Sequence, residues 1–233
     1  MAGIVTELDI AENAPRAGDS VVERLRAVRT RIELAANAAG RDPREVTLIG
    51  VTKTVTAARI GEALGAGLVD FGENRAQELL AKTVELGSCG ARWHFLGQLQ
   101  RNKVKSLAGH VALWHSVDRA ELVESIAAHA PGARVLIQVN QGGEPTKGGC
   151  SPGGAPSLVH RARELGLDVC GLMTVPPAEK EPRSYFAELR TMAASLEVAE
   201  LSMGMSGDFE VAIAEGATMV RIGHAIFGTR ISR

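Results

Sequence analysis

Aromatic residues are scarce: five Phe, two Trp and one Tyr make up 3% of the 233 residues. So few rings leave little for single-stranded nucleic acid to stack on, and the core must be mostly aliphatic. Neither charge sign dominates, since 26 Lys and Arg face 27 Asp and Glu for a formal net charge of −1. There is then no basic field to gather phosphate backbones or anionic lipid, and neither nucleic acid nor a membrane is expected as a partner. Cys89, Cys150 and Cys170 are odd in number and far apart, giving neither a disulfide framework nor a C-x-x-C site. That pattern suits a reducing compartment. No apolar run approaches membrane-spanning length and the N-terminus lacks a secretory pattern, so a cytoplasmic protein is expected. What remains is an ordinary globular composition, 45% hydrophobic and 23% charged.

Residues 1–18 read as a flexible leader, and 19–233 as a single domain. Ser20-Val-Val-Glu23 has the form of a capping box. Val21, Leu25, Val28, Ile32, Ala35 and Ala39 then recur at steps of three and four, predicting a helix that Gly40 and Pro43 stop. After Pro43 short apolar runs at 46–52, 68–71, 92–96, 111–117, 133–139, 168–174, 200–203 and 217–222 predict strands, with helical patterns between them. Repeated strand-helix units imply a parallel sheet covered by helices. Eight of them fit an α/β fold of the closed (β/α)8 TIM-barrel type with an extra N-terminal helix, while a doubly wound open sheet is the alternative. The Gly-rich stretch 142–154 is expected to be a mobile rim loop; it lacks the spacing of a P-loop.

Chemistry in a parallel barrel collects at the C-terminal ends of the strands. Lys53 follows the first predicted strand, where a low-dielectric wall would favour a free, nucleophilic amine; the plainer alternative is a solvated rim lysine. Glu73 and Asn74 follow the second strand. Asn74 could hydrogen-bond a ligand oxygen or cap the next helix, and propensity favours the cap. His94 and His115 lie in apolar runs beside Trp93 and Trp114 and read either as core histidines with a satisfied N–H or as ligands. No zinc spacing is present, and Ser116 has no nucleophile elbow around it. Leu201-Ser-Met-Gly-Met205-Ser206-Gly-Asp208 and Arg221-Ile-Gly223-His224 place Gly-containing turns after strands seven and eight, a frequent phosphate site of barrel enzymes. A lysine amine across the mouth from such a cradle points to a phosphorylated aldehyde.

These residues resemble a known family. Val51-Thr-Lys53-Thr, Phe71-Gly-Glu-Asn74, the Trp93 to Lys103 segment, Gln138-Val-Asn140 with Glu144 and Lys147, Gly171-Leu-Met173 and residues 201–228 are similar, in order, to the pyridoxal 5′-phosphate (PLP) homeostasis proteins. The resemblance implies a single barrel like the N-terminal domain of alanine racemase, with PLP as cofactor held as a Schiff base on Lys53. It also implies that Met205, Ser206, Gly223 and His224 hold the phosphate, that Arg221 faces the pyridine nitrogen, and that Asn74 and His94 lie near the ring. Thr52 stands where serine is common in the family, and Gln98 falls at a variable place; both bear only on ring packing.

Binding is favoured over turnover. An Arg at the pyridine nitrogen opposes its protonation and weakens the ring as an electron sink, though racemases with this cofactor geometry also use Arg there, so a second argument decides. Racemisation also needs acid and base on opposite faces of the substrate carbon, and racemases of this fold draw a tyrosine from a second domain. Tyr185, the only tyrosine, is predicted on a helix far from any strand end. The expected function is therefore intracellular PLP homeostasis, sequestering PLP or delivering it to PLP-dependent apoenzymes. The alternatives are a weak amino-acid racemase using His94 or another rim group as the missing base and a Schiff-base aldolase. A closed barrel with no exposed heptad is expected to be a monomer.

Overall fold

The computed structural model describes residues 18–228; the leader lies outside the described residues but for Gly18. Helix α1 (Val21–Ala38) starts at Ser20, and the capping box forms in both directions, the Glu23 N–H donating to Ser20 Oγ and the Ser20 N–H to Glu23 Oε2. Such a cap is worth about 1 kcal/mol. Its apolar stripe is buried along Val21, Leu25, Val28, Ile32 and Ala35, with Ala36 taking the last position instead of Ala39. After Gly40 at φ 69° the chain enters the barrel.

The strands are β1 (Thr47–Val51), β2 (Asp70–Glu73), β3 (Arg92–Phe95), β4 (Val111–Val117), β5 (Arg134–Val139), β6 (Asp168–Thr174), β7 (Glu200–Ser202) and β8 (Met219–Ile222). All pair in parallel, and β1 closes on β8 through Thr47 with Met219 and Ile49 with Arg221. Closure removes the sheet edges an open doubly wound fold would carry. Helices α2 (Ala57–Gly65), α3 (Ala76–Leu86), α4 (Val104–Leu107), α5 (Ala120–His129), α6 (Ala155–Glu164), α7 (Arg183–Ser195), α8 (Phe209–Ala214) and α9 (His224–Phe227) run between and after them. Helix α1 packs on α8 and α9. There the Arg31 Nε–H donates to Glu210 at 2.7 Å, and its guanidinium lies over the Phe209 ring.

Two apolar layers result from strand alternation. Ile49, Leu113, Leu136, Met173 and Met219 fill the barrel interior. A larger layer that includes Phe71, Trp93, Trp114 and Phe186 lies between barrel and helices. Ser116 lies where the β4–β5 register shifts between Trp114 and Val117, and its hydroxyl is buried without a hydrogen-bond partner among the described residues. No helix of the described residues is long and apolar enough to cross a membrane, and Cys89, Cys150 and Cys170 are free.

Two expectations need correction. The second strand is not 68–71: Leu68 still belongs to the turn that follows α2, its N–H donating to the Ala63 carbonyl, and pairing begins at Asp70 and runs through Glu73. A buried carboxylate carries no apolar signal, so the strand's end was hidden. The 142–154 stretch is also tied down. Cys150 bridges to Val139, the Gln138 side chain donates to the Gly148 carbonyl, and the Gly149 N–H donates to Asp118.

Candidate functional site

Lys53 lies just past β1 in a turn closed by the Val55 N–H, which donates to the Thr52 carbonyl at 2.8 Å. It is half-buried, and among the described residues its amine has no hydrogen-bond or ion-pair partner. The next residue, Thr54, holds φ at 63°, a left-handed conformation costing a β-branched residue about 1–3 kcal/mol. The turn is pinned on both sides of the lysine. Thr52 Oγ1–H donates to Glu73 Oε1 at 2.6 Å, and the Thr54 N–H donates to Glu78 Oε2 at 3.0 Å. Lys82, from α3, pairs with Glu73 and donates to the Thr52 carbonyl at 2.7 Å. Glu73 and Lys82 are both buried. Burial pushes the Glu78 carboxyl up, but the Thr54 N–H and Lys82 outweigh it and hold it below the usual value.

Sequence reasoning placed Glu73 near the site but gave no part to Lys82 or Thr52. The missed signal was a lysine on the inward face of a helix, three residues after Leu79 in the buried set Ala76, Leu79 and Lys82.

Asn74 does not cap α3. The cap position is Arg75, which makes no side-chain cap bond, and Asn74 Oδ1 is buried with no partner. Only glycine fits opposite it, because a Cβ on Gly97 would stand 2.0 Å from the Asn74 carbonyl oxygen. Gly97→Ala is expected to displace Asn74 and destabilise the fold by about 1–3 kcal/mol, read by urea unfolding. From Asn74 a cavity of about 440 Å³ opens along the β3–β5 rim, bordered by Gln98, Lys103, Arg119 and Lys147.

On the opposite rim the turns after β7 and β8 meet. The Ala225 N–H donates to Ser206 Oγ at 3.4 Å, and the Arg221 N–H to the Gly204 carbonyl at 3.0 Å. Asp208 Oδ1 accepts from the Met205 N–H, while the Asp208 and Phe209 N–H groups both reach the Met205 carbonyl. Met205 and His224 are exposed and Ser206 half-buried. Gly223 packs against β1, where a Cβ would lie 3.2 Å from the Val51 carbonyl oxygen.

Arg221, on β8, is buried. Its guanidinium donates to Ser202 Oγ at 2.7 Å and to the Thr174 carbonyl at 2.8 Å. No carboxylate lies within ion-pair distance among the described residues, and part of its donor fork is uncommitted. Burial lowers it to about 10, with Asp208 acting the other way, so it stays charged at neutral pH.

His94 is brought to the interior but not freed toward the mouth. Its Nε2 meets Asp70 Oδ1 at 3.0 Å and its Nδ1 meets His115 Nε2 at 2.9 Å. Both ring nitrogens of His94 are thus engaged inside the barrel. Tyr185 departs from expectation in the other direction. It sits in the first turn of α7, and its carbonyl accepts from Gln141, two residues beyond β5. It therefore lies at the rim on the β5–β6 side.

The donor set fits a coenzyme with an amine-reactive carbonyl, a ring nitrogen and an anionic tail. The half-buried lysine is unpartnered, the buried cation lacks a carboxylate and the buried amide oxygen is an orphan, each an unmet interaction at the same end of the barrel.

Residues 24–231 match the alanine racemase N-terminal domain family. A pyridoxal phosphate homeostasis protein of Pseudomonas aeruginosa is 43% identical over 221 residues, covering 91% of this chain and 96% of the relative. One of Aquifex aeolicus is 46% identical over 222 residues, covering 89% and 97%. The solved structure of PipY from Synechococcus elongatus with PLP bound superposes with a TM-score of 0.80 at 36% identity, covering 90% of this chain and all of that one.

Proposed function

Because the chain belongs to the pyridoxal phosphate homeostasis proteins, within the alanine racemase N-terminal domain family, we propose that it holds PLP at the barrel mouth for sequestration and delivery to apoenzymes. When bound, the coenzyme would supply an aldehyde that an amine can take up reversibly, with loss of water and with no carbon–carbon bond broken. Lys53 would hold that carbon, its approach set by the Thr52 and Thr54 anchors. Arg221 would face the ring nitrogen with its uncommitted N–H groups, and as a permanently charged donor it accepts no proton there. Ser206 and the backbone around Met205, Gly223 and His224 would take the phosphate. Asn74 would offer its orphan oxygen to the ring edge.

One observation carries this reading: a buried guanidinium without a carboxylate stands at the same end of the barrel as a lysine amine without a partner. Turnover is disfavoured because neither ring nitrogen of His94 is free to move a proton. Mixing the loaded protein with a PLP-requiring apoenzyme is expected to restore that enzyme's activity. Deuterium exchange at the α-carbon of an amino-acid panel is expected to stay far below ordinary turnover of about 1–10³ per second. Exchange at that speed would replace the carrier reading with a catalytic one.

A further inference from the structure

We propose that Asp70, at the floor end of β2, is a positioning residue for the guanidinium at the mouth, acting on Arg221 through His94, His115 and Ser202. The proposal deepens the coenzyme-holding reading, and only its binding arm rests on it.

The contacts form an unbroken chain. Asp70 Oδ1 meets His94 Nε2 at 3.0 Å, His94 Nδ1 meets His115 Nε2 at 2.9 Å, and His115 Nδ1 meets Ser202 Oγ at 2.8 Å. Arg221 Nη1 donates to that same oxygen at 2.7 Å. The path starts on β2, steps over β3 and β4, crosses the interior to β7 and ends on β8. All five side chains are buried. The apolar interior set of Ile49, Leu113, Leu136, Met173 and Met219 offers no side-chain hydrogen-bonding competitor.

Hydrogen counting fixes the direction of every link. Arginine only donates, so Ser202 Oγ accepts from it. Among the described residues the Ser202 hydrogen has one acceptor in reach, His115 Nδ1. His115 then carries its proton on Nε2 and donates to His94 Nδ1, and His94 donates from Nε2 to the Asp70 carboxylate. Each hydrogen is used once, and both rings take the same tautomer. The reverse order strands the Ser202 hydrogen and, with both rings neutral, requires Asp70 to be the donor. That conflicts with its other oxygen, which accepts from Arg92 at 2.6 Å. Burial drives His115 well below the usual imidazole range, and the Arg221 charge pushes the same way. Burial raises Asp70, but the hydrogen bonds from His94 and Arg92 outweigh it and hold the carboxyl below its ordinary value.

Aligned in this way, the links polarise one another between an anion and a cation. Arg221 receives its countercharge from the floor of the barrel. A carboxylate placed against it would instead consume the donors a ligand needs.

Nitrogen-15 spectra of the histidines in the wild-type protein without coenzyme are expected to give the Nε2–H tautomer at both His94 and His115. Asp70→Asn is expected to mix the tautomers at His115, a ring it does not touch. An Nδ1–H tautomer at His115 in the wild type, or a His115 signal indifferent to Asp70→Asn, overturns the proposal. The wild-type spectrum is decisive even if the variant fails to fold or the chain takes up no coenzyme. In the loaded protein, Asp70→Asn and Ser202→Ala are each expected to weaken PLP binding roughly five- to thirty-fold. The double variant is expected to bind no worse than the poorer single, because cutting the chain at Ser202 leaves Asp70 nothing to act through. Losses that multiply would overturn it.

Discussion

Lys53→Ala is expected to lose the visible band of the loaded protein, in the region of roughly 400 nm, while keeping its fold. The fold should survive because the Lys53 side chain makes no hydrogen bond or ion pair among the described residues. The turn around it is held instead by Thr52, Thr54 and the Val55 N–H. Two nearby amines are poorly placed to substitute: Lys82 is committed to Glu73 and the Thr52 carbonyl, and Lys147 to Glu144 and the Pro176 carbonyl. Arg221 and the turns after β7 and β8 remain, so weak, colourless retention of coenzyme is the expected residue of binding. Absorbance after gel filtration, with far-ultraviolet circular dichroism as the folding control, reads both parts. A full band on a folded Lys53→Ala protein would remove the lysine from its assigned role.

Lys82→Met is expected to cost stability rather than colour alone. It leaves Glu73, which is 0% exposed, with only the Thr52 hydroxyl and the Asn74 N–H as partners. Breaking a buried pair from one side typically costs about 3–5 kcal/mol, because the remaining charge keeps its desolvation penalty. In a domain of this size that is a fall in Tm of roughly 6–20 °C. Adding Glu73→Gln should recover much of the loss, since a neutral amide can be buried more cheaply than an unpaired carboxylate. Urea unfolding of the coenzyme-free proteins measures both. If Lys82→Met melts with the wild type, the pair does not anchor the lysine turn.

The barrel was legible because its signals are local. Alternating strand and helix texture, the Ser20 capping box and the turn residues at the joins each act within a few positions, and the closed order β1 to β8 follows from their repetition. The rim residues were legible for the same reason: Lys53, Asn74, Ser206, Arg221 and Gly223 directly follow or end apolar runs. The interior relay was not. Asp70 and Ser202 look unremarkable in sequence, and only the register pairing Gly72 with His94, His94 with Leu113, and Ser202 with Met219 puts them on the inner parity with His115 and Arg221. His94 and His115 satisfy their nitrogens within that relay, as one of the two sequence readings had it. Asn74 misled because capping propensity describes isolated helix ends, whereas its backbone is fixed by Glu73 and by close approach of Gly97. Tyr185 misled because helix α7 begins at the mouth, so its first turn is a rim element.

The most direct test of covalent holding is borohydride reduction of the freshly loaded protein followed by peptide mapping. A pyridoxyl group fixed on the peptide containing Lys53 is the expected result, and its absence there, or its appearance on another lysine, would contradict the assignment of the barrel mouth as the place where the coenzyme is kept.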